Sequence, residues 1–215
     1  MGGIVFWALG SCVVAEFLGY WLHSLLHSGK IRFLSRSHME HHLEFYGPLQ
    51  HQRPGSKYLD STDDRIALGN IGLEWLLPAG VLLGMSYGVF RLLGVRAIYQ
   101  GTYFVVVIGW SLVSFSYLHD RMHVRHFWME KSRCTRWWFR KVRRLHDIHH
   151  RTINDHGKMN MNLGIGCYLF DWVFGTLAFQ QRPFNHKGYE EAKRLYRAGI
   201  DSGPSARLRW PSSSP

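Results

Sequence analysis

Ten of the chain's 14 histidines fall into four short clusters, and any fold open to this sequence has to account for them. The clusters are His23-x-x-x-His27, His38-x-x-His41-His42, His119-x-x-x-His123 and His146-x-x-His149-His150. On a helix, positions three or four apart share one face, so each cluster is expected to present two or three imidazoles toward one point. Neutral imidazole is the commonest biological metal ligand and suits iron, copper and zinc. Roughly 0.06 copies of H-x-x-H-H are expected by chance at this histidine content, and the chain holds two. A pair followed by a triplet, then the same pair and triplet again, points to metal ligation. His51, His126, His156 and His186 lack such spacing and are expected to be ordinary side chains.

The clusters stand beside apolar runs. Ile4 to Leu26 is nearly unbroken and long enough to cross a hydrocarbon core of about 30 Å at about 1.5 Å per residue. Its one carboxylate, Glu16, is at that depth either a costly exception or a functional group. Ser28 to Arg65 is polar and basic. In it Ser35-Arg36-Ser37 is expected to open a short helix carrying the first triplet, ended by Phe45-Tyr46-Gly47-Pro48. Asp60 to Asp64 has the composition of a helix cap. The run Ile66 to Leu93 is interrupted by Glu74, Pro78, Gly80, Gly84 and Gly88, which fits either one kinked span or two re-entrant pieces. Gly101 to Leu118 is a third clean run, with His119 and His123 directly after it. Asn162 to Phe179 is Gly-rich and apolar, and is expected to span or to lie in an interface. With three spans, both H-x-x-x-H pairs emerge on the same side.

Length suggests one domain, residues 1–200, and the apolar runs make it an all-α, membrane-embedded domain of three to four transmembrane helices. Residues 201–215, rich in Ser and Pro, are expected to be a disordered tail. The formal charge of +11 is unevenly spread: no Lys or Arg precedes Gly29, while eleven lie between Arg121 and Lys158. Such asymmetry around apolar runs is the positive-inside pattern, so the clusters are expected on the cytosolic face of a bacterial inner membrane or an endoplasmic reticulum. The Trp-rich basic segment 121–158 suits either anionic headgroups or a solvated face. No nucleic-acid-binding motif accompanies the charge. Cys12, Cys134 and Cys167 form no C-x-x-C, so neither a disulfide framework nor a thiolate metal site is expected.

Ten imidazoles exceed the four to six ligands of one transition metal, whereas two ions with four or five each use them all. Such a pair suits oxygen chemistry better than a closed structural zinc site. Glu40, Asp120, Asp147 and Asp155 stand beside the clusters and are candidates to hydrogen-bond the outer ring nitrogens.

The order of the four motifs resembles the fatty acid hydroxylase/sterol desaturase superfamily of integral-membrane di-iron enzymes. Asn162-Leu-Gly164 followed by Phe170-Asp171-Trp172-Val-Phe174-Gly175-Thr176 is similar to that family's N-x-G…W-D-x-x-F-G-T signature, although here Trp follows Asp. The resemblance runs from about Glu16 to Thr176 and is specific only at superfamily level. It implies a four-helix membrane domain with a cytosolic helical cap, whose ten motif histidines hold two ions, nominally iron, with zinc an expected substitute in purified protein. It also implies Asn162 beside the site, holding a water. O2, a lipid substrate (acyl chain, sphingolipid, sterol or carotenoid) and electrons from cytochrome b5 or a ferredoxin with its reductase complete the implied reaction. No cytochrome b5 domain is fused to this sequence, so a separate donor is expected. Hydroxylation and desaturation share the ligand set. A lipid desaturase and, outside enzymes, a membrane metal carrier or haem protein are the competing expectations.

Overall fold

The computed structural model describes residues 2–53, 58–59, 67–68 and 71–200. The expected cap at Asp60 to Asp64 and the tail 201–215 lie outside these residues. Helix α1 spans Gly2–Ser28 and ends at Gly29, whose φ of +68° is the left-handed conformation that stops a helix cheaply. Helix α2, Arg32–Glu40, starts one turn before Ser35 and passes into a π-turn, His41–Phe45. The only strands among the described residues are Ala67–Leu68 and Ile71–Gly72, a two-residue hairpin.

Helix α3, Leu73–Leu92, is one continuous helix through Pro78, so the interrupted run Ile66 to Leu93 yields a single span-length element, not two re-entrant pieces. Helix α4, Ala97–Ser111, continues through a π-turn at Leu112–Leu118 into α5, His119–Met122. Three helical stretches among the described residues are therefore long and apolar enough to cross a membrane: Gly2–Ser28, Glu74–Leu92 and Ala97–Met122. Their large apolar side chains face outward, as Phe6 (76% exposed), Leu92 (88%) and Val105 (74%) show. This inversion of the usual rule suits a lipid solvent. The stretch Asn162 to Phe179 contains only α7, Leu169–Val173, and is not a fourth span. It folds against α1 instead, where Phe17 and Tyr20 meet Phe170 and Phe174.

Helices α1 and α4 run parallel. A Cβ on Gly3 would touch Tyr99, and one on Gly19 would fall inside the Phe115 ring, so the glycine lets the two helices close on each other. Helix α3 is antiparallel to α1, pairing Phe90 with Trp7 and Trp75 with His23. Both H-x-x-x-H pairs thus sit at the same end of the bundle.

The cap is built by α6, Arg136–Arg151, and α8, His186–Ile200. One face of α6 buries Phe139, Val142, Leu145, His146 and His149, whereas Arg136, Arg140, Lys141 and Arg144 are exposed. This is the spacing of an amphipathic helix. Phe139, Val142 and Leu145 pack on Leu118, Met122, Ile165 and Tyr168, while α8 buries Ala192 and Tyr196 against Met39 and Leu43 of the triplet-bearing segment.

Arg143 is the one basic residue on the buried face of α6. Its guanidinium donates to the carbonyls of Arg121 (2.8 Å) and Val124 (2.7 Å), pairs with Glu130 and lies on the Phe139 ring. Burial pulls its pKa down, and Glu130 opposes that shift. Removing one partner of such a buried pair leaves the others desolvated and unmatched. Arg143→Leu is therefore expected to cost about 3 kcal/mol, measurable as earlier unfolding in mixed micelles; wild-type resistance would show the strap to be dispensable.

Candidate metal centre

All ten clustered histidines converge at the common end of α1 and α4–α5, and all are buried. They form two groups. His23, His27, His42 and His149 offer nitrogens that lie within 4.8 Å of one another, and so do His41, His119, His123 and His150. His38 adjoins the first group, its Nε2 lying 3.0 Å from that of His27 and 3.2 Å from that of His42. His146 adjoins the second, with its Nε2 3.1 Å from that of His123. The groups are neighbours: the ring centroids of His42 and His150 are 4.0 Å apart.

Neither triplet converges on one point, contrary to the expectation from spacing. His38 and His42, one turn apart, go to the first group while His41 goes to the second. His146 and His150 go to the second while His149 crosses to the first. Each group therefore takes one pair, two members of the triplet that follows it and the middle member of the other triplet. The cause is the helical turn: adjacent residues diverge by about 100°, so His41 and His42 cannot face one ion. The π-turn that starts at His41 falls where the split occurs; such turns recur at functional sites.

Backbone carbonyls fix the tautomers. Nδ1 of His23 lies 2.6 Å from the carbonyl of Leu163, Nδ1 of His149 2.7 Å from that of Met161, Nδ1 of His123 2.7 Å from that of His51 and Nδ1 of His150 2.9 Å from that of Tyr46. A carbonyl only accepts, so each Nδ1 carries the proton and each Nε2 of the neutral ring turns a bare lone pair inward. Tyr58 Oη meets Nδ1 of His41 at 3.0 Å. The buried Nε2 atoms of His41, His119, His149 and His150 have no hydrogen-bond partner among the described residues. Bare lone pairs this close, on nitrogen alone, fit late first-row ions bound at about 2.0–2.1 Å. Two such ions, held by four or five imidazoles each, match the ligands present.

The stretch Met161–Gly164 is the ledge on which two of these rings rest. Its carbonyls at Met161 and Leu163 face the histidines. On the other side, the N–H of Asn162 donates to the Thr176 carbonyl (3.0 Å), and the N–H groups of Leu163 and Gly164 donate to Asp171 (2.7 Å each). Asn162 takes a φ of +54°, and its side chain bonds only backbone: Nδ2 to the carbonyls of Leu145 and Ala178, Oδ1 to the N–H of Ala178. Both amide hydrogens are thus committed to bracing the ledge. A Cβ on Gly164 would come within 2.4 Å of the Cys167 carbonyl, so only glycine fits there.

The four carboxylates singled out beside the clusters have different surroundings. Asp120 is buried, 3.7 Å from Nδ1 of His119. Asp147 bonds Gln52 (2.9 Å) and His51 (3.3 Å), and so steadies the loop that holds His123 without touching a clustered ring. Asp155 bonds Asn185 near the start of α8, away from the histidines. Glu40 is half-buried at the end of α2. Glu16 accepts from Trp110 Nε1 (2.7 Å) and Glu74 from Ser37 Oγ (2.9 Å), so both intraspan carboxylates are hydrogen-bonded. Tyr46, Tyr58 and the carbonyls of residues 161 and 163 escaped the sequence reading. Backbone acceptors carry no side-chain signature, and the sole pointer to the ledge was the Asn162…Asp171…Thr176 pattern.

An apolar cavity of about 380 Å3 opens between α1, α3 and α4. Leu83 and Val107 line its deep end, Leu22, Trp75 and Phe115 its middle, and His38, His41 and His119 its upper wall. From Val107 to His119 the cavity follows α4, the π-turn and the start of α5.

No family model, curated protein or solved structure matches this chain.

Burial, followed by the charges of neighbouring imidazoles, drives His38, His41, His42, His123, His146 and His150 well below the ordinary histidine range. Burial takes His149 down from 6.5 to about 4, against the Met161 carbonyl, which raises it. These rings bind protons more readily once the chain unfolds, so between about pH 6.5 and 4 the unfolded state carries more protons. Stability then rises with pH across that window and is lost as pH falls through it. Thermal unfolding of metal-free protein is expected to show a steep fall in Tm between pH 6.5 and 4. A flat Tm across that range would mean that the imidazoles are not buried neutral.

Proposed function

We propose that the chain is a membrane-embedded, O2-dependent di-iron oxygenase that hydroxylates a C–H bond of a lipid, with electrons from a separate carrier such as cytochrome b5 or a ferredoxin with its reductase. The observation that supports this most is the apolar cavity ending on His38, His41 and His119, because it brings an alkyl chain from the level of the spans to the wall of both histidine groups. Iron held there supplies the activation of O2 toward unreactive C–H bonds. The protein's own part is ligation, placement and dryness. The five-histidine sets accept the ions in the neutral form that burial enforces. Leu22, Leu83, Val107 and Phe115 exclude water and grip the chain by dispersion. Which carbon stands under the histidines depends on how far the chain enters, and an error of about 1 Å there changes the rate about 100-fold. The hydrogen-bonded state of Glu16 and Glu74 speaks against a carrier with free carboxylates along a transport path.

Metal content by mass spectrometry on detergent-purified protein tests the foundation. About two metals per chain are expected from the two groups of ligands. His149→Ala should weaken the group of His23, His27 and His42, His41→Ala that of His119, His123 and His150, and the double variant should lose both ions. His186→Ala, at the start of α8, should keep both. One metal or none in a folded wild type would overturn the oxygenase proposal.

A further inference from the structure

We propose that Asp171 sets the donor strength of His23 through the peptide bond between Leu163 and Gly164, which makes it a positioning residue of the histidine centre. This rests on the metal-binding proposal above. One peptide unit carries both contacts. Its carbonyl, on Leu163, accepts the Nδ1 proton of His23 at 2.6 Å, and its N–H, on Gly164, donates to Asp171 Oδ2 at 2.7 Å. Hydrogen bonds in a chain polarise one another, so an amide whose N–H is given to a carboxylate is a better acceptor at its oxygen. A better acceptor draws the Nδ1 proton outward and leaves more electron density on the inward Nε2, as carboxylate partners do for metal-binding histidines. Asp171 is fully buried and accepts from three donors: Leu163 N–H, Gly164 N–H and the Thr176 hydroxyl at 2.8 Å. Its side chain is wholly committed to the ledge and touches no imidazole.

The same ledge contains its own control. The peptide between Met161 and Asn162 accepts the Nδ1 proton of His149 at 2.7 Å, and its N–H donates to a neutral carbonyl, that of Thr176, at 3.0 Å. His23 and His149 belong to one group of four. They differ in what stands behind the amide: a carboxylate for the first, a carbonyl for the second.

Two measurements on the full chain decide the matter. In zinc-loaded, 15N-histidine-labelled protein, the Nδ1 proton of His23 should resonate downfield of that of His149; coincident resonances overturn the proposal without any substitution. In Asp171→Asn, chelator competition should show one of the two ions held about 10- to 100-fold more weakly, with the other unchanged, and the visible bands of the cobalt-loaded form should shift. Wild-type affinity and unshifted bands in that variant also overturn it. A wild-type chain that takes up no zinc sinks the metal-binding proposal itself. Two bound ions with indistinguishable His23 and His149 sink only the role of Asp171.

Discussion

Ten buried imidazoles gathered into two adjoining groups are the constraint on which the rest of this structure depends. A buried polar atom without a partner is costly, typically about 1–3 kcal/mol each in proteins, and several inward nitrogens here have none among the described residues. The fold offsets part of that cost at the outer nitrogens, where carbonyls of Tyr46, His51, Met161 and Leu163 take the Nδ1 protons. Those carbonyls sit in irregular backbone, where the carbonyl is not tied up in a helical ladder. Loops 46–53 and 161–164 are therefore as necessary to the centre as the helices that bear the ligands.

The crossing of the triplets binds the molecule together. Because His41 joins the second pair and His149 joins the first, neither half of the chain completes a group alone. The first pair rides on α1, the second on α5, and both middle residues reach across from segments far apart in sequence. Arg143 ties the loop after α5 to α6, so the second pair and second triplet keep a fixed spacing. Helix α8 does the corresponding service for the first triplet by packing on Met39 and Leu43.

The apolar spans and the histidine centre meet along the cavity. The lower part of its wall consists of ordinary span residues; its upper wall is the ligand set itself. Glycine at position 19 lets α1 and α4 close on each other over Phe115, which leaves room on the α3 side of the pair. The arrangement joins an apolar slot to a nitrogen-rich centre.

Much of this was legible in the residues. The three apolar runs and their lengths follow from hydropathy, because a span-length helix in lipid must satisfy its own backbone and show apolar side chains outward; that Ile66 to Leu93 forms one helix and not two pieces did not. The i, i+4 pairs follow from the helical period, and so, in principle, does the split of each triplet, since neighbours on a helix diverge. Other features were decided only in three dimensions. The Gly-rich stretch 162–179 has the composition of a membrane element, yet it became a ledge and a one-turn helix once Asp171, Thr176 and Asn162 captured its backbone. Asn162 has the chemistry to hold a water, but its amide is spent on Leu145 and Ala178. Asp147 neighbours a ligand in sequence, and the turn of α6 aims it at His51 instead. The sequence by itself determined which side chains can bind metal and which segments prefer lipid, because these are properties of residue type and period. Only the tertiary structure decided which imidazoles are grouped together and which carbonyls hold them, because those contacts join positions up to 140 residues apart through backbone atoms that every residue possesses.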